Sequence, residues 1–463
     1  MSVPSSEQDT IAAISTPPGL SGIAIVRLSG PRAFAIADRL FHGRCPSPPS
    51  QWPSHVLHYG HICEGDTVLD EVLLTVMRAP RTYTREDIVE LNCHGGPAVV
   101  REILQLVLRE GARLAEPGEF TRRAFLNGRL DLAQAEAVGQ LVEALTSEAA
   151  RVALGSLRGH LSKRVGDWRR RVLDVLVVIE AGLDFPEEDL ELSERESLIG
   201  QLTEVAGEMT KLLSKAEYGE LLFRGVRVAI AGKPNVGKST LLNTLVRKER
   251  ALVAPLPGTT RDTVEEGIDL EGIPVRLVDT GGLGRTDDPL AELVRERSIE
   301  AIRSSDLVIF VLDRSQPLDD EDREVARLLD DLRVLVVLSK SDLPQQISIE
   351  PVGDILYGRP ILEVSGKTGK GVEALEAAIM DIFGGTGGVA SEEALVTNLR
   401  QREGISKARE RLIQGIGAAQ HCTPGELVAV DLRDAIQALD EVVGADVTGD
   451  VLSPIFERFC IGK

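Results

Sequence analysis

The sequence is poor in cysteine. It has five in 463 residues, Cys45, Cys63, Cys93, Cys422 and Cys460, and none form a CxxC pair. An odd count without such pairs does not suggest a disulfide framework, and a zinc site is not expected. Cationic residues are also outnumbered: 52 Lys and Arg against 72 Asp and Glu give a net charge of −20. Gripping nucleic acid over the whole surface needs clustered Lys and Arg, so the charge argues against that class; a local basic patch is compatible with it. No apolar run reaches the roughly 20 residues of a membrane span. The opening MSVPSSEQDT has neither a charged n-region nor an apolar h-region. No signal peptide is therefore expected, and the cytoplasm is the expected compartment. No internal repeats are seen. The remainder is ordinary for a globular protein, 43% hydrophobic and 27% charged, with a length that predicts two to four domains.

The texture changes along the chain. Up to residue 118 strands and helices mix. TIAAIS and IAIVRLS read as strands around the turn TPPGLSG, and HVLHYGHI, VLDEVLLTVM and DIVELNCH as further strands. PRAFAIADRL and the stretch opened by Gly95-Gly96-Pro97 read as helices, so this region is α+β. Residues 119–219 carry Ala, Leu and Glu at helical spacing, with SERE at Ser193 to Glu196 as a capping box. Helical texture returns over 385–463, after the glycine-rich GGTGG, with TPGE at Thr423 to Glu426 as a second box. Residues 220–384 alternate strand and helix. The expected architecture is a multidomain α/β chain, in which an all-α domain is interrupted by an inserted Ras-like α/β domain. The most basic stretch, KRVGDWRRR at Lys163 to Arg171, reads as a solvated helix face.

The strongest motif opens the insert. VRVAIAGKPNVGKSTLLN is a β-branched strand, then Gly232-x-x-x-x-Gly237-Lys238-Ser239, then a helix. Glycines let backbone N–H groups wrap a phosphate at the positive end of that helix. Asn235, Val236, Gly237 and Thr240 belong to this loop. Lys238 should reach the β- and γ-phosphates and Ser239 should ligate Mg²⁺. LPGTTRD offers Thr259 and Thr260, one of them the switch threonine that meets Mg²⁺ and the γ-phosphate. Asp279-Thr280-Gly281-Gly282 ends a strand with a second Mg²⁺ contact and a phosphate-sensing N–H. Asp342 in SKSD can accept from the paired N–H groups of guanine's Watson–Crick edge; adenine, the alternative base, lacks that pair, so guanine is the expected base. Ser339, before Lys340, stands where GTP-binding domains carry Asn, and Ser365-Gly366-Lys367 stands where SAK is usual.

Leu283 occupies the place where Ras-like switches put a water-orienting glutamine, and leucine cannot do that work. An arginine supplied in trans is worth roughly 10³–10⁵ in rate, ~4–7 kcal/mol. Here Asn235 is a candidate to help hold a monovalent cation that does the same electrostatic job. Its other reading is a plain turn residue.

TPPGLSGIAIVRLSG, YTREDIVELNCHGGP, EPGEFTRRAFLNGRLDLAQAEAV, GKPNVGKSTLLN, PGTTRD and the terminal FCIGK together make the chain resemble, nearly end to end, the tRNA modification GTPase family called MnmE or TrmE. That family sits in the TrmE-Era-EngA-YihA-Septin-like class. The resemblance implies K⁺-dependent GTP hydrolysis coupled to carboxymethylaminomethyl or aminomethyl modification of wobble uridine in certain tRNAs. It implies an FAD-containing partner in a heterotetramer, a homodimer, and an N-terminal domain that binds formyl-tetrahydrofolate or a related folate. Folate contacts then fall on Arg27, Glu90, Arg129 and Lys463. K⁺ falls on Asn235, the carbonyls of Ala254 and Leu256, and Thr259, with Thr260 or Thr259 near Mg²⁺. The acidic residue that positions water is matched best by Glu292, while an ungapped alignment puts Ala291 there. Cys460 and the Lys463 carboxylate are expected near the folate and tRNA chemistry; the competing reading makes Cys460 a buried apolar residue. Two other functions fit parts of the chain. One is a ribosome-assembly GTPase acting as an RNA-binding switch, but no RNA module follows the single P-loop. The other is a folate aminomethyltransferase fused to an unrelated GTPase.

Overall fold

The computed structural model describes residues 9–184, 192–248, 265–281, 289–347, 358–383, 394–421, 423–445 and 449–463. Contacts divide the chain into two units. The first comprises residues up to Gly139 with Leu157–Arg169 and Ile436–Lys463, and the second Gln140–Ser156 with Arg170–Ala435.

The first unit is built on a seven-stranded sheet. In chain order its strands are β1 (Ile11–Ile14), β2 (Ser21–Ser29), β3 (Phe41–Gly43), β4 (Leu57–Glu64), β5 (Thr67–Met77), β6 (Ile88–Gly95) and β7 (Arg113–Leu114). The spatial order is β3-β4-β5-β6-β2-β1-β7. Helices α1 (Ala33–Leu40) and α2 (Pro97–Arg109) contribute Ile36, Ala37, Ile103 and Val107 to the core beneath Val26, Leu28, Leu74 and Leu91. Alternation along β2 and β6 sends those residues inward and leaves Arg27 and Glu90 on the other face. Helix α3 (Glu119–Leu126) follows a left-handed Gly118, whose Cβ would stand 2.6 Å from Phe456 O. Helix α4 (Leu132–Glu143) supplies Leu132 and Ala135 to a cluster with Leu452 and Phe456.

The second unit holds a six-stranded sheet, ordered β13-β12-β11-β8-β10-β9. Its strands are β8 (Val226–Ala231), β9 (Glu265–Leu270), β10 (Ile273–Asp279), β11 (Leu307–Asp313), β12 (Val334–Ser339) and β13 (Ile361–Glu363). All neighbours are parallel except the β9–β10 hairpin. β8, β11 and β12 are buried on both faces, which is why they read as continuous Val/Ile/Leu runs. The helices of this part of the chain are α5 (Ser147–Leu157), α6 (His160–Asp184), which begins in the first unit, α7 (Leu192–Leu213), α8 (Ala216–Arg224), α9 (Lys238–Lys248), α10 (Pro289–Arg303), α11 (Asp320–Leu328), α12 (Val372–Ile382), α13 (Leu399–Gln420) and α14 (Gly425–Val443), whose last residues from Ile436 belong to the first unit. A last helix, α15 (Gly449–Phe456), lies in the first unit. Long helices α7 and α13 pack on each other. This is a multidomain α/β architecture with a G-domain-like fold.

Both capping boxes fall differently from expectation. Ser193 lies inside α7, past any N-cap position, and α14 begins at Gly425, so Pro424 precedes the helix. In the Lys163–Arg171 stretch Lys163, Arg164 and Arg170 are exposed, as a solvated face would be, while Arg169 pairs with Asp440, Arg171 pairs with Glu204 and Glu208, and Trp168 is fully buried.

Candidate functional sites

β8 lies between β11 and β10, so connections leave it in opposite directions and its carboxyl end opens a crevice. The loop from Gly232 to Gly237 sits there. Gly232 has φ 152°, and a Cβ on it would stand 2.5 Å from Val311 O. Asn235 takes the left-handed φ of 64° and is exposed. Lys238 Nζ donates to Gly232 O and Lys233 O, each at 2.9 Å. The ammonium thus closes the loop on itself. Burial lowers its pKa, and Asp279 opposes that shift only in part. A phosphate offers such a buried cation a better counter-charge than two carbonyls do.

Ser239 Oγ donates to Asp279 Oδ2 at 2.9 Å, so the two expected Mg²⁺ donors are adjacent. Thr280 is fully buried and spends its hydroxyl on Ile230 O at 2.7 Å. It pins the strand end, and exposed Gly281 follows. Ala254, Leu256, Thr259, Thr260, Gly282 and Leu283 lie outside the described residues. Glu292 is exposed on α10, with its carboxylate 3.8 Å from Arg295.

A cavity of about 400 Å³ gathers Gly237, Thr240, Ser339, Lys340, Asp342, Gly366 and Lys367. Ser339 Oγ is 2.5 Å from Val236 O and 3.0 Å from Leu312 O, tying the base loop to the phosphate loop. Asp342 accepts from Ser365 Oγ at 2.7 Å. That bond, with its own backbone N–H and Lys367, lowers the carboxyl's pKa and keeps it an acceptor. Lys340, at φ 56°, reaches Asp313 Oδ2 at 2.6 Å. A Cβ on Gly366 would approach Thr240 Cγ2 at 3.0 Å, and its carbonyl accepts from Thr244 Oγ1.

Sequence reasoning missed a brace on the phosphate loop. Lys233 Nζ lies 2.6 Å from Asp319 and 2.9 Å from Asp322, the two halves of the capping box that starts α11. Burial disfavours the charge on Lys233, but the two carboxylates outweigh it and raise its pKa. The acidic run LDDED was the available signal.

The second site lies in the first unit. Arg27 on β2 faces Glu90 on β6 in antiparallel register, with Nε to Oε1 at 2.8 Å. The chain end folds back onto this pair. Phe120 and Thr121 N–H donate to Lys463 O at 3.1 and 3.3 Å. Ser15 Oγ and Arg27 donate to Gly462 O at 3.2 and 3.4 Å. Gly462 has φ 98°, and a Cβ there would sit 2.4 Å from Ile14 O, so only glycine fits. Phe459 stacks over Gly139 and anchors the approach. Burial and the Arg27 charge lower the Lys463 pKa. Cys460 is a free, exposed thiol, which removes the reading of it as buried.

Tyr83 joins these parts. Its hydroxyl is 2.9 Å from Thr121 Oγ1, and its ring lies 5.9 Å from the Arg27 guanidinium and 4.7 Å from that of Arg129. Arg129 also donates to Tyr83 O at 2.7 Å. Arg27, Glu90, Arg129 and the tail therefore converge through Tyr83. Beneath them Arg123 binds Asp9, Glu86 and Glu119. Glu119 is only 1% exposed; burial pushes its pKa up, but Arg113, the Glu116 N–H and Arg123 bring it below the ordinary value. This network fixes the Tyr83 loop against α3.

The model of the GTP-binding protein TrmE N-terminus matches residues 10–129, and that of the MnmE helical domain matches residues 132–460. A tRNA modification GTPase MnmE from Alkaliphilus oremlandii is 45% identical over 457 residues, covering 98% of this chain and 99% of the relative. The protein of the same description from Geobacillus thermodenitrificans is 44% identical, covering 99% and 100%. That from Bacillus subtilis is 42% identical, covering 98% and 100%.

Proposed function

This chain belongs to the tRNA modification GTPase family called MnmE or TrmE, and on that premise we propose that it is a K⁺-dependent GTPase that modifies the wobble uridine of certain tRNAs. The group added is carboxymethylaminomethyl or aminomethyl, the one-carbon donor a formyl-tetrahydrofolate-type folate, and the partner an FAD-containing protein in a heterotetramer. The protein acts as a homodimer in the cytoplasm. Residues 1–118 form the folate-binding and dimerisation domain, 119–219 and 385–463 the helical domain, and 220–384 the inserted G domain.

The observation that carries this reading is the tail. A sequence ending in Cys-Ile-Gly-Lys is bonded by its last two carbonyls beside Arg27 and Glu90. Such a seat has no use in a GTPase that acts only as an RNA-binding switch. The residues fit the proposed ligand. Arg27 offers donors, Glu90 offers acceptors, Tyr83 offers an aromatic ring, and Arg129 offers a fork for a carboxylate. When bound, folate supplies a carbon at the formyl level. Cys460 presents an exposed nucleophile three residues from the end of this seat.

In the G domain, Lys238 leaves its loop carbonyls for phosphate oxygens, and Asp342 selects guanine. Ser239 and Asp279 form a pair of hard oxygen donors that would hold Mg²⁺, and the ion would supply charge neutralisation to the phosphates. Asn235 presents its exposed side chain for K⁺, with Ala254, Leu256 and Thr259, and Glu292 is the candidate to position water. Wobble-nucleoside analysis of tRNA from cells lacking the protein tests the reading. Loss of the modified uridine, restored by the intact gene, is expected; an unchanged nucleoside profile overturns it.

A further inference from the structure

Tyr83 and Arg129 also line a cavity of about 460 Å³ beside the Arg27–Glu90 pair. Its wall includes Arg81, Arg85 and His55 and no carboxylate. That is unusual for a chain with a net charge of −20. Arginines at the neighbouring site are neutralised, Arg27 by Glu90, Arg113 by Asp9 and Glu119, Arg123 by Asp9, Glu86 and Glu119, whereas Arg32 and Arg78 elsewhere in this unit donate to backbone carbonyls and do not gather in one concavity. Among the described residues, Arg81, Arg85 and Arg129 have no such partner. Arg85 donates to Asn127 O at 2.8 Å and Arg129 to Tyr83 O, contacts that orient a guanidinium without discharging it. The nearby carboxylates are committed inward. Glu86 accepts from Ser29 and Arg123, and Asp87 accepts from Ala79 N–H. Arg85 is held at φ 61°, a conformation an L-residue adopts at a cost and one that clusters at ligand sites.

Three convergent guanidiniums in a small concavity suit a compact ligand bearing several carboxylates, since each fork matches a carboxylate in two-point geometry. An extended RNA backbone needs a groove or stripe of charge instead. The cavity is continuous, through Tyr83 and Arg129, with the contacts assigned above to folate. We propose that it is the subsite for the γ-linked polyglutamate tail of that folate, each added glutamyl residue bringing one carboxylate to Arg81, Arg85 or Arg129. This rests on the folate reading of Arg27 and Glu90. It makes the folylpolyglutamate, rather than the monoglutamate, the preferred donor.

The test is calorimetric binding of 5-formyl-tetrahydrofolate as the monoglutamate and as the triglutamate to the full-length protein, at two salt concentrations. The triglutamate should bind at least about tenfold tighter, with the advantage shrinking as salt rises. A double variant, Arg81→Ser with Arg85→Asn, keeps a residue tolerant of positive φ at position 85. It should bind the monoglutamate as the native protein does and lose the triglutamate preference. Equal affinity of the two forms in native protein overturns the proposal, as does a preference that survives the double variant. If the variant keeps the folate preference and loses tRNA affinity with a shallower salt slope, the cavity takes RNA phosphate and the proposal is wrong. Binding of neither form removes the folate reading itself, a result distinct from equal binding of both.

Discussion

Replacing Gly462 by alanine should release the tail without unfolding the protein. Four contributions fix the magnitude. A positive φ costs an L-residue about 1–2 kcal/mol. The new Cβ would stand 2.4 Å from Ile14 O, backbone against backbone, so the chain must also move. Against this stand two N–H bonds to Lys463 O and two side-chain bonds to Gly462 O, each worth about 0.5–1.5 kcal/mol net. Ordering each of the last residues costs about 1–2 kcal/mol, so the docked tail is close to balance before the substitution. A further 1–2 kcal/mol shifts it toward the undocked state by roughly 5–30-fold. Phe456 and Phe459 stay in their clusters, so the melting temperature should change little. Amide exchange at Phe120 and Thr121 should lose its protection, tRNA modification should fall at least about tenfold, and K⁺-stimulated GTP turnover should persist. Protected amides together with normal modification in the alanine variant would refute this reasoning.

Asn235→Ala should abolish the rate advantage of KCl over NaCl while GTP still binds; equal turnover of the native protein in both salts contradicts the cation role. Asp342→Asn should erase the preference for GTP over ATP in competition binding, because an amide puts a donor where guanine also presents donors. Cys460→Ser should remove modification without lowering the melting temperature, since the thiol is exposed and its loss leaves no buried gap. Burial pushes the pKa values of Asp9 and Glu119 up, but the arginines beside them outweigh it and hold both below the ordinary carboxylate values. Their contribution to stability is therefore present above about pH 5 and lost as pH falls below about 4, because the unfolded chain binds protons first. Arg123→Leu should cost about 3 kcal/mol by leaving buried Glu119 with fewer partners. It should also move the acid limb of stability to higher pH in urea denaturation.

Much of the nucleotide site was legible because it is local. A β-branched strand, a glycine loop and a helix occur within a short stretch, and SKSD and SGK carry recognisable spacing. Arg27 and Glu90 came from the family resemblance, and their pairing came only with the register of β2 and β6. What sequence hid was long-range. The Lys233 brace joins residues 86 and 89 positions apart, and nothing near Lys233 announces it. Gly462 is required by a backbone oxygen at Ile14, on a strand at the other end of the chain. Thr280 reads as a phosphate contact in DTGG, but its hydroxyl is drawn under the sheet to Ile230. Ser193 matches a capping box in pattern, and the helix runs through it. Local patterns compete with packing that only the fold reveals.

Central to the proposed function is a division of labour, in which GTP hydrolysis at the Lys238–Asp279 site is proposed to serve chemistry at the Arg27–Glu90–tail site. It is tested most directly by reconstitution with the flavoprotein partner, tRNA and folate donor, measuring GTP turnover and wobble modification in one reaction. Protein lacking Cys460 to Lys463 should hydrolyse GTP at the native K⁺-stimulated rate and modify no tRNA. Intact protein given a non-hydrolysable GTP analogue should also modify none. Modification by the truncated protein, or by the intact protein without hydrolysis, would contradict it.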